Sequence, residues 1–201
     1  MIGWELPVAI EIDNKSYPIT NRGDFRMILD CFSALSDKEI PQQYRIMDSL
    51  KIFYEDINSD EDIVNVFGKN VEQAVKQMYS FFDCFQDSIG MKASHNLIDW
   101  ESDAQLVCAA VNNVAQTEIR SEPYLHWFTF MGYYISVGES MLATVVGIRD
   151  KKHRGKKLEK YEKEFVNNNP QYFIERQTDF EKQEAEDAFD RLWNKNSKKE
   201  V

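Results

Sequence analysis

The stretch Asp24-Phe25-Arg26-Met27-Ile28-Leu29-Asp30-Cys31-Phe32-Ser33-Ala34-Leu35 decides the fold. Phe25, Ile28, Leu29, Phe32 and Leu35 recur at helical spacing, with Asp24, Arg26 and Asp30 on the other side, which predicts an amphipathic helix with one buried face. Toward the N-terminus, Val8, Ile10 and Ile12 alternate with Ala9 and Glu11. Asp13-Asn14-Lys15 then supplies turn residues before Ser16-Tyr17-Pro18-Ile19, so residues 7–19 predict a hairpin. Pro18 has no N–H to donate and makes the second strand an edge.

Toward the C-terminus, Ser36 followed by Glu39 has the form of a capping box, and Pro41 suits a first helical turn. The next helix should turn Tyr44, Met47, Leu50 and Tyr54 inward and end near Asp56. A charged loop at 58–62 precedes a short helix over 63–67 closed by Gly68, then a longer helix over 71–85 and an irregular stretch over 88–96. A further helix is expected from Asp99, with Asp99, Glu101 and Asp103 as solvated charges at the positive end of its dipole. Trp100, Ala104, Val107, Val111 and Val114 form its inner stripe. Glu122-Pro123 opens an aromatic helix of Trp127, Phe130, Tyr133 and Tyr134; Gly138 stops it before an apolar helix ending at Ile148. The pattern as a whole predicts a mainly α protein: a small N-terminal β-hairpin, a multi-helix bundle and a C-terminal helical arm. Phe25, Phe32, Trp100, Val107, Trp127 and Phe130 are its expected core.

The expected organisation is a hairpin plus helical core over 1–150, a basic linker over 151–170, and an arm over 171–201. Residues 149–163 hold eight Lys or Arg against three acids, and Asn167-Asn168-Asn169-Pro170 is a stop signal. In the arm, Phe173, Phe180, Phe189, Leu192 and Trp193 are sparse among charges and irregularly spaced, too few to bury a long helix, so a partner's groove is their expected destination. Lys151, Lys152 and Arg154 are the matching candidates for an acidic protein surface.

The formal charge of -10 repels nucleic acid phosphates and anionic membranes, so neither is an expected partner. Cys31, Cys84 and Cys108 are odd in number and lie in apolar runs, as reduced core cysteines do. The start lacks the pattern of a secretory signal, which favours the cytoplasm. The uncharged run from Tyr124 to Gly138 is too short to span a bilayer.

Nothing in the sequence calls for catalysis, a metal or a cofactor. His95, His126 and His153 lie far apart, and no Cys-x-x-Cys is present. Asp56, Asn58 and Asp60 begin like a calcium loop, but Glu61 takes the glycine position and Phe67 that of the bidentate glutamate. No phosphate-binding glycine loop and no nucleophile elbow occur. His126 within its aromatic run reads as a satisfied polar group of the core.

A set of dispersed motifs completes the reading. These are residues 11–19 with Asp24-Phe25-Arg26, then Phe53-Tyr54, Phe81-Phe82-Asp83-Cys84, Asp99-Trp100-Glu101-Ser102-Asp103 with Ala109-Ala110, Leu125-His126-Trp127-Phe128 with Phe130, and Gly147-Ile148-Arg149. In their order and spacing the chain resembles the bacteriophage gene-product-fifteen family over about residues 8–157, with Phe128 where the family tends to have a second Trp. The resemblance implies a tail assembly chaperone that keeps the tape measure protein soluble and helps tail tube subunits assemble around it. It further implies action in the host cell cytoplasm and absence from the finished virion. Tape measure and tail tube proteins are then the expected partners, with self-association besides. The rival expectations are a minor tail or connector subunit retained in the virion, and a phage enzyme or nucleic-acid-binding regulator that would use the basic run or the His126 region.

Overall fold

The structure is a computed structural model that describes residues 4–86 and 97–173. Its first strands, β1 (Ala9–Ile12) and β2 (Lys15–Pro18), pair antiparallel with Ile12 opposite Lys15. Asp13 and Asn14 close the turn at φ 49° and 60°. A two-residue turn with both centres left-handed matches the twist of the strands it joins, and Asp and Asn tolerate that backbone best after glycine. Ile10, Ile12 and Tyr17 are buried against the helices.

Asn21, Arg22 and Gly23 follow at φ 47°, 55° and 76°, a left-handed turn that redirects the chain from the hairpin into α1 (Phe25–Ser36). Phe25, Met27, Ile28 and Cys31 of α1 are buried, and Leu29, Phe32 and Leu35 flank them. Asp24 departs from the expected solvent side. It is buried, and its carboxylate accepts the Arg26 backbone N–H at 3.0 Å as the helix N-cap.

The capping box expected at Ser36 does not form, because Ser36 is the last residue of α1 and Pro41 precedes α2 (Gln42–Phe53). Ser49, Leu50 and Phe53 make the buried side of α2, while Tyr44 is half exposed. Tyr54 is buried as expected, but just beyond the helix, where its hydroxyl donates to the Ala74 carbonyl at 2.9 Å. Ser59 caps α3 (Asp60–Phe67), and α4 (Val71–Phe82) buries Ala74, Met78, Phe81 and Phe82. α4 stops short of the expected Phe85. Cys84 and Phe85 take left-handed angles, and Cys84 N–H bonds the Phe81 carbonyl while Phe85 N–H bonds that of Ser80. This is a Schellman ending built without glycine.

α5 (Ala104–Ala115) starts after the acidic turn, not at Asp99, and buries Leu106, Val107, Ala110 and Val111. α6 (Trp127–Ile135) starts later than Glu122-Pro123 suggests, because the preceding residues lie extended against Asp24 and Phe25. α7 (Met141–His153), capped by Ser140, runs past Ile148 and through the expected boundary at 150/151. It ends in another Schellman motif: Gly155 at φ 65° sends its N–H to Lys152 O, and Lys156 sends its own to Lys151 O. α8 (Lys160–Asn168) follows, so much of the expected basic linker is helical.

The chain is mainly α with an N-terminal hairpin, as its periodicity predicts. Phe25, Val107, Trp127 and Phe130 are buried; Phe32 and Trp100 of the expected core are half-buried, packed on it through their rings. Trp127 stacks on Phe130 at 5.4 Å between centroids, meets Phe32 and Trp100 edge-on, and donates its indole N–H to Phe82 O at 2.9 Å. The irregular stretch 88–96 and the arm residues Phe180, Phe189, Leu192 and Trp193 lie outside the described residues.

Candidate functional site

Two buried polar clusters join motifs that are distant in sequence. In the first, Asp24 accepts from its own helix and from Leu125 N–H at 3.0 Å, while Phe25 N–H returns a bond to Leu125 O at 2.9 Å. The Arg26 guanidinium lies against the Asp24 carboxylate at 2.9 Å and 3.0 Å and donates to Glu122 O and Ile119 O. It also lies 4.6 Å from the Phe25 ring centroid. Asp24-Phe25-Arg26 is therefore the clamp that holds the chain leading into Leu125-His126-Trp127.

His126 belongs to the same cluster. Its Nδ1 accepts the Phe128 N–H at 3.0 Å, capping α6, and its Nε2 lies 2.9 Å from the Pro7 carbonyl. These partners require the neutral ring with its proton on Nε2. Burial pushes its pKa below the usual histidine value, against the opposing pull of the Pro7 carbonyl and Asp24. The expectation of a satisfied core histidine describes this geometry.

The second cluster corrects the reading of the acidic turn. Asp99 caps the turn by accepting the N–H groups of Glu101 and Ser102. Asp103, expected in solvent, is 1% exposed and forms a two-pronged pair with Arg149, whose Nη2 donates to Oδ1 at 3.0 Å. Arg149 also donates to Leu97 O at 2.9 Å and to Tyr172 O at 2.7 Å and 3.0 Å. One guanidinium thus gathers α5, α7, the segment before α5 and the chain after α8. The missed signal was positional: Asp103 precedes Leu106, Val107 and Ala110 on their own stripe, and Arg149 follows Leu142 and Val145 on theirs.

The carboxylates of both clusters are engaged by guanidinium and backbone N–H groups. Burial pushes the Cys31 thiol up to about 12 and that of Cys84 to about 11, which suppresses the nucleophilic thiolate. Among the described residues, no group of three or more His, Cys, Asp or Glu side chains is placed to hold a metal ion, and no helix is long and apolar enough to cross a membrane.

The candidate partner residues fall around the turn between α7 and α8. Lys151 is paired with the buried Glu162 at 2.6 Å, and Arg154 with Asp150 at 2.8 Å. The Lys151 ammonium, then the Glu159 backbone N–H, holds the Glu162 carboxyl below the usual range. Lys152 is exposed, its ammonium 5.6 Å from the centre of the Phe173 ring, which meets Phe165 edge-on. Of the expected arm aromatics, Phe173 is thus half-buried against the body. Sequence reasoning missed exposed apolar side chains elsewhere: Trp4 and Leu6 before the hairpin, Val64 on α3, Ile135 at the end of α6 and Met141 at the start of α7.

A family model described as Bacteriophage Gp15 protein matches residues 4–173. The chain belongs to this bacteriophage Gp15 family. The matched region contains both polar clusters and the whole of α7 and α8, and it ends at Phe173, beyond the expected limit at 157. No curated protein and no solved structure matches the chain.

Proposed function

We propose that this member of the bacteriophage Gp15 family is a tail assembly chaperone: it binds the tape measure protein, keeps it soluble in the host cytoplasm and helps recruit tail tube subunits. Membership of the family carries the reading, since the resemblance of its motifs implies that role. On this reading the protein is not an enzyme, and its buried polar residues build the fold.

A tape measure presents long apolar helices, which several shallow contacts repeated over many copies would cover through summed weak binding. The exposed Trp4, Leu6, Val64, Ile135 and Met141 are apolar groups available for such contacts. Phe180, Phe189, Leu192 and Trp193 would add a further apolar element, and Lys152 a charged one.

The test is affinity capture of the tagged full chain from infected cells, together with mass spectrometry of purified virions. The reading expects the tape measure protein among the captured species and this chain absent from the particle. Retention at fixed stoichiometry in the virion would identify a structural tail or connector subunit instead. Salt-sensitive capture of nucleic acid would favour a regulator.

A further inference from the structure

We propose that the basic face formed by the end of α7 and the start of α8 is a docking surface for an acidic peptide, and that its resident occupant is the chain's own segment 175–190. The inference is independent of the tape measure reading.

The Schellman turn at Gly155 folds the end of α7 toward α8, and the Lys151–Glu162 pair ties the two helices together. Lys152, Lys156, Lys157, Lys160 and Lys163 are exposed around this turn. Of the local acids, Asp150 holds Arg154 and Glu162 holds Lys151, while Glu159 and the exposed Glu164 are outnumbered by the five exposed lysines. On a chain of formal charge -10, this face is a local reversal of sign.

The complementary charge lies immediately downstream. Residues 175–190 carry seven carboxylates, Glu175, Asp179, Glu181, Glu184, Glu186, Asp187 and Asp190, against Arg176 and Lys182. The chain enters this segment at a fixed point on the basic face. Arg149 grips Tyr172 O, and the Phe173 ring lies by the Lys152 ammonium. Glu175 is two residues beyond Phe173, within about 7 Å of chain at full extension. That tether places the acids at an effective concentration on the order of millimolar beside the lysines, which favours the chain's own segment over that of a second copy.

Carbodiimide treatment of the full chain, which joins a carboxylate to a lysine in direct contact, tests the contact. Peptide mass spectrometry of the monomer-sized product should find links from Lys156, Lys157, Lys160 or Lys163 to acids within 175–190. Raising salt from about 50 mM to about 500 mM should cut their yield at least about fivefold, because exposed charge pairs are screened. In the variant Lys156→Glu/Lys157→Glu, the remaining Lys160 and Lys163 links should fall by a similar factor, with circular dichroism confirming that the helices remain. Links confined to a dimer-sized product, no links, or links indifferent to both salt and charge reversal would each overturn the proposal.

Discussion

Arg149 on α7 and Asp103 at the entrance to α5 form a two-pronged pair whose carboxylate is 1% exposed, and the same guanidinium holds Leu97 O and Tyr172 O. Removing one partner leaves the other buried charge unmatched, which costs about 3–5 kcal/mol. Arg149→Ala should lose that much in a urea melt. Replacing both groups by apolar ones, Asp103→Leu with Arg149→Met, should recover part of the loss, because no orphan charge remains. A double variant as unstable as the sum of the two single ones would show that the carbonyl bonds to Arg149 dominate.

Gly23 joins the hairpin to α1 at φ 76°, and a Cβ there would meet Phe81 Cζ at 3.0 Å and His126 Nε2 at 3.1 Å. Gly23→Ala combines a left-handed backbone cost of about 1–2 kcal/mol with that crowding. The variant should unfold at lower temperature and disturb the His126 ring in NMR spectra; an unchanged melting temperature would contradict the geometry.

His126 makes stability depend on pH. Its folded pKa lies below the unfolded value, so the unfolded chain binds the proton more readily. The contribution of the neutral ring is therefore complete above about pH 6.5 and is lost as pH falls toward the lower folded pKa. Protonation would also take Nδ1 away from the Phe128 N–H. Urea midpoints measured from pH 7.5 down to 5 should decline, and His126→Asn, which can still cap α6, should flatten the histidine part of that decline.

The C-terminal boundary of the body is also open to test. The reading from composition puts a separable arm after Pro170, yet Tyr172 O and the Phe173 ring are engaged by Arg149, Phe165 and Lys152. A chain ending after Phe173 should melt cooperatively near the full-length midpoint. One ending after Pro170 should be less stable by about 1–3 kcal/mol, since the Arg149 donors lose their acceptor. Equal midpoints would mean that the Tyr172 contact contributes nothing.

The helices were legible wherever one apolar stripe dominates, as in α1, because burial of a periodic face is the main force that fixes a helix. The hairpin was legible from Asp13-Asn14, whose side chains tolerate the backbone the turn requires. Helix starts were harder to place. α6 begins just after His126 because of that residue's side-chain cap and its contact with Asp24 about a hundred residues away, which no local pattern encodes. The Asp103–Arg149 pair was hidden for the same reason: an acid near a helix start looks solvated until its distant cation is known. Lysine-rich composition likewise suggested a linker over 151–170, while the Gly155 turn and the Lys151–Glu162 pair make it the junction of two helices.

The central claim is that this Gp15-family protein acts through its surfaces as a chaperone for an apolar helical client. Its most direct test is the soluble fraction of the phage's tape measure protein, produced with and without the full chain and quantified after centrifugation. The account predicts a tape measure that is largely insoluble when produced without the chain, becomes soluble when co-produced with it, and returns to the pellet when exposed Trp4, Val64, Ile135 and Met141 are together changed to serine in a chain that still folds. A tape measure whose solubility is indifferent to the chain would contradict the claim.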